Sequence, residues 1–256
     1  VGKVIAIANQ KGGVGKTTSC INLAASLVAQ QRRVLLLDSD PQGNATMGSG
    51  INKKKLQGST NEVLLGEAEL TSVILSTQAG YDIVPGNSDL TAAEVGLLQR
   101  SRREYQLLQA LSRVRGSYDY ILIDCPPSLN MLTVNALVSA DSVLIPMQCE
   151  YYALEGLTGL LETITSIRAN SNSKLQIEGL LRTMYDGRNR LTNDVSEQLT
   201  THFGNQLLET VIPRNVRLAE APSYGLPALL YDKTSAGAQA YLELAKEVLK
   251  RRDREF

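Results

Sequence analysis

Short apolar runs alternate along the chain with longer amphipathic ones. Residues 4–8, 34–37, 120–123 and 143–145 are brief, rich in β-branched or leucine side chains, and bounded by polar or turn residues. That is the pattern of strands buried on both faces. Between them, residues 17–30, 91–114, 129–139 and 154–169 have helical length and spacing. A weaker strand over 81–84 ends at Pro85-Gly86. Further on, 175–184 predicts a strand, 191–203 a helix, 207–212 a short strand and 235–252 a terminal helix. Such alternation predicts an α/β fold, a mostly parallel twisted sheet with helices on both faces. Ligands on such sheets bind at the carboxyl ends of the strands. With no long linker or repeat, residues 1–256 are expected to form a single domain. The most polar stretch, 48–60, contains Lys53-Lys54-Lys55 and is expected to be an exposed loop.

Composition narrows the function. The 256 residues are 43% hydrophobic, enough for a substantial core. Lys+Arg and Asp+Glu both number 26, so the chain is no bulk polycation. Any nucleic-acid binding must use a local patch, or one doubled by dimerisation. Three dispersed cysteines (Cys20, Cys125, Cys149) without a CxxC argue against a disulfide framework or a zinc site. The single histidine, His202, excludes multi-histidine metal chemistry. No apolar run approaches the roughly 18 residues that span a bilayer, and the N-terminus does not read as a signal peptide. A cytoplasmic location is therefore expected.

Asn9-Gln10-Lys11-Gly12-Gly13-Val14-Gly15-Lys16-Thr17-Thr18 follows a strand and opens a helix. This is the setting of a phosphate-binding loop: glycines let successive N–H groups turn toward one point, and the helix N-terminus adds positive potential. Lys16 can reach the β- and γ-phosphates, Thr17 can ligate Mg²⁺, and Thr18 lies near the α-phosphate. The pattern GxxxxGK[ST] is not met, because its first glycine falls on Gln10. A second lysine, Lys11, instead sits five residues before Lys16. From the outer edge of the loop it could reach a phosphate bound to a neighbouring subunit.

Two strands deliver carboxylates at their ends: Asp38-Ser39-Asp40 after 34–37, and Asp124 after 120–123. Beside a phosphate loop this is the Walker B arrangement of a P-loop NTPase. Asp124 is expected to hold Mg²⁺ through water. Asp40 is expected to join Thr17 and Asp124 at the metal and is the candidate for orienting the attacking water, and Asp38 is the candidate for supporting the metal and the phosphate-loop helix. Phosphoryl transfer depends mostly on positioning and charge neutralisation. Without a strong base, turnover should be slow, suiting a switch.

Lys11-Gly12-Gly13-Val14-Gly15-Lys16-Thr17-Thr18 resembles the deviant Walker A motif of the ParA/MinD/nitrogenase-iron-protein group. Asp40-Pro41-Gln42-Gly43-Asn44-Ala45-Thr46, Asp124-Cys125-Pro126-Pro127-Ser128, Glu150-Tyr151-Tyr152-Ala153-Leu154-Glu155-Gly156 and residues 212–223 narrow the resemblance to ParA/Soj chromosome-partitioning ATPases. The resemblance implies an ATP-sandwich homodimer with Lys11 acting in trans and Lys16 in cis. ATP and Mg²⁺ are the implied cofactors. Pro213 and Asn215 are the implied adenine-side residues, with Thr183 and Met184 on the opposite wall. Arg188, Arg214 and Arg217 are the implied contacts to nonspecific double-stranded DNA, and a ParB-type centromere-binding protein is the implied partner. A chain that begins at its first strand also resembles the short type without an N-terminal helix-turn-helix extension, and nucleoid association is expected.

Three other readings compete. A MinD-like membrane ATPase needs an amphipathic C-terminal helix, and residues 246–256 are too charged to insert well. An iron–sulfur reductase needs two interfacial cysteines per subunit, for which Cys125 and Cys149 are poorly set. A small-molecule kinase leaves Lys11 without a role.

Overall fold

A computed structural model describes residues 1–253. Its eight strands are β1 (Lys3–Ile7), β2 (Val34–Asp38), β3 (Leu75–Ser76), β4 (Asp82–Val84), β5 (Tyr120–Asp124), β6 (Ser142–Gln148), β7 (Gln176–Tyr185) and β8 (Leu207–Pro213). They form one sheet in the order β3-β4-β2-β5-β1-β6-β7-β8. Every pairing is parallel except that of β3 with β4. The helices are α1 (Lys16–Ala29), α2 (Asn44–Gly48), α3 (Thr60–Leu64), α4 (Leu70–Val73), α5 (Leu90–Leu97), α6 (Gln106–Ser112), α7 (Met131–Ser139), α8 (Glu155–Asn170), α9 (Arg190–Phe203), α10 (Val216–Glu220), α11 (Ala228–Tyr231) and α12 (Ala236–Asp253).

Period-two alternation sends strand side chains to two separate cores. Val4, Ala6, Leu35, Leu37, Ile121 and Ile123 pack on one face with Leu107, Leu132 and Leu160 from α6, α7 and α8. Ile5, Ile7, Leu36, Tyr120 and Leu122 pack on the other with Ile21 and Leu27 of α1 and Tyr241 and Leu244 of α12. Both faces are covered, which is why these strands are apolar throughout rather than alternating.

Pro146 lies inside β6 without breaking the ladder. β1 pairs with β6 only as far as Leu144, so the missing N–H of Pro146 falls beyond the end of β1. Its carbonyl accepts a hydrogen bond from Asn9 Nδ2 at 2.9 Å. At the far edge, the backbone amides of Glu209 and Thr210 in β8 donate to the Glu247 carboxylate of α12, each at 2.9 Å.

The helix expected over 91–114 is two helices and a 3-10 turn. α5 stops at Leu97, and Arg102 takes the left-handed conformation, with φ +52°. The break is held from outside: Asn135 Oδ1 accepts the Leu107 N–H at 3.1 Å, and Asn135 Nδ2 donates to the Arg103 carbonyl at 2.9 Å. The polar stretch 48–60 is open as far as Ser59, which starts α3 through a capping box with Glu62.

Among the described residues no helix is long and apolar enough to cross a membrane. The basic end of α12 is folded onto the body. Arg251 donates to the Asn205 carbonyl, and Arg252 donates to the Asp119 carbonyl and stacks over Tyr120. The last three residues of the charged tail, Arg254, Glu255 and Phe256, lie outside the described residues.

Candidate active site

β1, the central strand, ends at Ile7, and the loop after it turns on Gly13 (φ +72°) and Gly15 (φ +90°) before α1 begins at Lys16. Those two angles favour glycine. Asn9 sets the exit from β1, since its Oδ1 accepts the Lys11 N–H at 3.0 Å. Thr183 Oγ1 of β7 donates to the Val14 carbonyl at 2.7 Å and anchors the far side of the loop.

The two lysines of the loop are disposed in opposite ways. Lys16 is 7% exposed, and its Nζ donates to the Lys11 carbonyl at 2.8 Å. Burial lowers its pKa, and the negative charges of Asp124 and Asp40 work against that shift. The Lys11 side chain is 49% exposed and turns outward to an ion pair with Glu150.

Register brings the acidic residues together. Asp38 and Asp124 stand side by side at the ends of β2 and β5, and Asp124 pairs in register with Ile7 of β1. Asp124 Oδ2 accepts from Thr17 Oγ1 at 2.8 Å, while its Oδ1 is buried without a partner. Burial, and then the neighbouring Asp38, push the Asp124 pKa well up. Burial also pushes Asp38 up to about 6. Asp40 is buried, and its Oδ1 accepts the Gln42 N–H at 2.9 Å.

Asp38 does not support the phosphate-loop helix as expected. Its Oδ2 accepts the Thr46 N–H and hydroxyl at 2.9 and 2.6 Å, and its Oδ1 accepts the Asp40 N–H at 3.2 Å. Its carboxylate is thus spent on the turn after β2, which carries Asp40, and on the start of α2.

The donor set suits a hard cation. Among the described residues no cluster of three or more His, Cys, Asp or Glu side chains could hold a metal alone. Mg²⁺ commonly takes one or two protein oxygens and completes its shell with water and substrate phosphate. The orphaned Asp124 oxygen beside Thr17 fits that requirement. Cys20, Cys125 and Cys149 are buried, and burial pushes all three thiols up, so they are poor ligands for an interfacial cluster.

Thr183, Met184, Pro213 and Asn215 line one cleft of about 190 Å³, together with Gly15, Thr18 and Tyr241. Met184 has a left-handed backbone, φ +48°. Asn215 Oδ1 caps α10 by accepting the Arg217 N–H at 3.1 Å.

Arg188 and Arg214 both lie near Asp186, and the Arg214 N–H donates to the Tyr185 carbonyl. The Arg188 side chain is 91% exposed and forks onto Asp186. Arg217 bridges Glu220 at 2.9 Å and Asp232 at 3.2 Å. Two of the three arginines therefore carry acidic partners of their own. Sequence reasoning passed over Asn9, Thr46 and Glu150 as working residues. Thr46 and Glu150 lie within segments quoted for the family resemblance, but only the fold shows what they touch.

Residues 2–177 match the family model described as an AAA domain. Relatives extend the likeness over nearly the whole chain. The Caulobacter vibrioides chromosome partitioning protein ParA is 52% identical over 99% of this chain and 96% of its own. The Bacillus subtilis sporulation initiation inhibitor protein Soj is 51% identical over 97% of this chain and 98% of its own. Among solved structures, cobyrinic acid a,c-diamide synthase from Mycobacterium smegmatis, with bound ATP analogue and magnesium, superposes with a TM-score of 0.89. It is 39% identical over 100% of this chain and 98% of its own. The phosphate loop, the paired strand-end aspartates and these likenesses agree: the chain belongs to the ParA/Soj family of P-loop ATPases.

Proposed function

We propose that this ATPase is a nucleotide-timed DNA-partitioning switch. Binding of Mg²⁺-ATP brings two copies face to face. The dimer holds duplex DNA without sequence preference on the cytoplasmic nucleoid, and slow hydrolysis, stimulated by a ParB-type partner, releases it. Partitioning relatives at 51–52% identity support this over the activity named for the 39% identical synthase.

The observation that carries the reading is the opposite disposition of the two lysines. Lys16 is buried within its own loop, where moving its ammonium from the Lys11 carbonyl to a phosphate exchanges a neutral acceptor for an anionic one. Lys11 faces outward on a salt bridge half open to solvent, and such pairs contribute little and exchange readily. Its ammonium is free to serve a nucleotide on a second copy. Gly12 leaves room for that approach: a Cβ built there meets only Pro127, at 4.0 Å.

Within the site, Thr17 and Asp124 would hold Mg²⁺, which neutralises phosphate charge when bound. Thr18 and the loop amides face the phosphates. Thr183, Met184, Pro213 and Asn215 enclose the base. Asp40 orients water, and Asp38 with Thr46 fixes the turn that carries it. Arg188, Arg214 and Arg217, doubled by dimerisation, are the proposed phosphate-backbone contacts.

Light scattering with a non-hydrolysable ATP analogue tests the reading. The parent should dimerise and retain random duplex DNA. Lys11→Ala should bind the analogue yet remain monomeric and release DNA. Dimerisation of that variant at parental concentrations would refute the trans role.

A further inference from the structure

The function above leaves the Lys53-Lys54-Lys55 run unused. The run folds as a turn: the Lys54 N–H donates to Asn52 Oδ1 at 3.0 Å, and the Lys55 N–H to the Asn52 carbonyl at 3.1 Å. Lys54 and Lys55 are exposed, and among the described residues neither forms an ion pair or side-chain hydrogen bond. Lys53 behaves differently. It is half-buried, and its Nζ donates to the Gln42 carbonyl. Its stem lies over Gly43, where a built Cβ would stand 3.0 Å from Lys53 Cδ.

Gln42 is one step from the proposed water-orienting group, because its N–H donates to Asp40 Oδ1 at 2.9 Å. A continuous path therefore runs from the lysine turn through Gln42 to Asp40. Three ammonium groups on one exposed turn form an electropositive spot with no base-reading geometry, suited to regularly spaced phosphates. A phosphate near this turn would compete for Lys53, since an anionic acceptor outbids a neutral carbonyl.

We propose that Lys54 and Lys55 contact the phosphate backbone of duplex DNA, and that Lys53 transmits the contact to the turn carrying Asp40. DNA occupancy then alters the hydrolysis rate through the main chain of Gln42. The inference rests on the DNA-partitioning reading and adds to it a contact surface outside the three arginines and a route to the catalytic turn. Lys53 is a positioning residue here, since it acts on Asp40 through Gln42.

Two measurements test it, on variants whose circular dichroism and melting match the parent. The first is the salt dependence of binding to labelled random duplex in the presence of a non-hydrolysable ATP analogue. Loss of two contacts per protomer, four per dimer, should flatten the slope of log K against log salt by about 3.6 in Lys54→Gln/Lys55→Gln. Lys54→Arg/Lys55→Arg should keep the parental slope. A parental slope in the glutamine variant overturns this inference alone, whereas no binding by the parent overturns the DNA reading and this inference with it. The second is ATPase rate with and without DNA. The parent should show two different rates, and in Lys53→Met the ratio should collapse to one. A parental ratio in Lys53→Met, or a parent indifferent to DNA, overturns the transmission step.

Discussion

Asp124→Asn should make the nucleotide-free protein more stable while abolishing its response to Mg²⁺-nucleotide. Asp38 and Asp124 are adjacent, buried carboxylates, and burial raises the pKa of both. For an acid with a raised folded pKa, the folded state holds its proton to higher pH than the unfolded chain does. The unfolded chain therefore binds fewer protons across the window, and stability falls as pH rises through it. For Asp38 the window runs from 3.8 to about 6, a cost of about 3 kcal/mol above it. Asparagine keeps an acceptor for Thr17 and removes the charge that faces Asp38, but it places an unpaired N–H group where Oδ1 lies, at a cost of about 1–3 kcal/mol. Relief of charge burial at Asp124, and of its repulsion with Asp38, should exceed that cost and raise the melting temperature, by about 2–4 °C for each kcal/mol gained in a chain of this size. The assay is thermal denaturation in EDTA at pH 5 and pH 8. The parent should lose stability between the two, and the variant should lose less. With Mg²⁺-nucleotide at a hundredfold excess over Kd, the parent should gain about 2.7 kcal/mol and the variant nothing comparable. A variant that melts below the parent at pH 8 in EDTA would refute the reasoning.

Two further predictions follow from single contacts. Lys16→Ala removes the only loop ammonium held inside the subunit and should weaken nucleotide binding tenfold to about a hundredfold, by loss of charge-assisted bonds worth about 1.5–3 kcal/mol; calorimetric titration with ADP would show it. Asn172 Nδ2 lies within 3.1 Å of the carbonyls of Leu137, Val138 and Ala140 at the end of α7. Asn172→Ala should cost about 1–3 kcal/mol in urea denaturation by leaving those acceptors unpaired, with little effect on nucleotide affinity.

The strands that carry the site were legible because their signal is local. Residues 34–37 and 120–123 needed only apolar runs ending in aspartate, and a parallel sheet then set the two carboxylates side by side. Glycines ahead of Lys16 likewise announced the loop. What escaped was set by contacts distant in sequence. The break in 91–114 depends on Asn135, some thirty positions away along the chain, and the left-handed backbone of Arg102 has no local marker. The duty of Asp38 toward the turn after β2 became visible only when Thr46 folded back onto it. The two-residue strand β3 is too short to carry a period.

The carboxylate of Glu247 has a consequence for assembly. By occupying the amides of Glu209 and Thr210, it takes two of the donors that the sheet's last strand could offer an incoming one. Copies of this chain are thereby discouraged from lengthening one sheet into the next, a route that leads to open-ended stacks. On the proposed reading the rim of loops around Lys11 is the place to meet, and contact there closes after two.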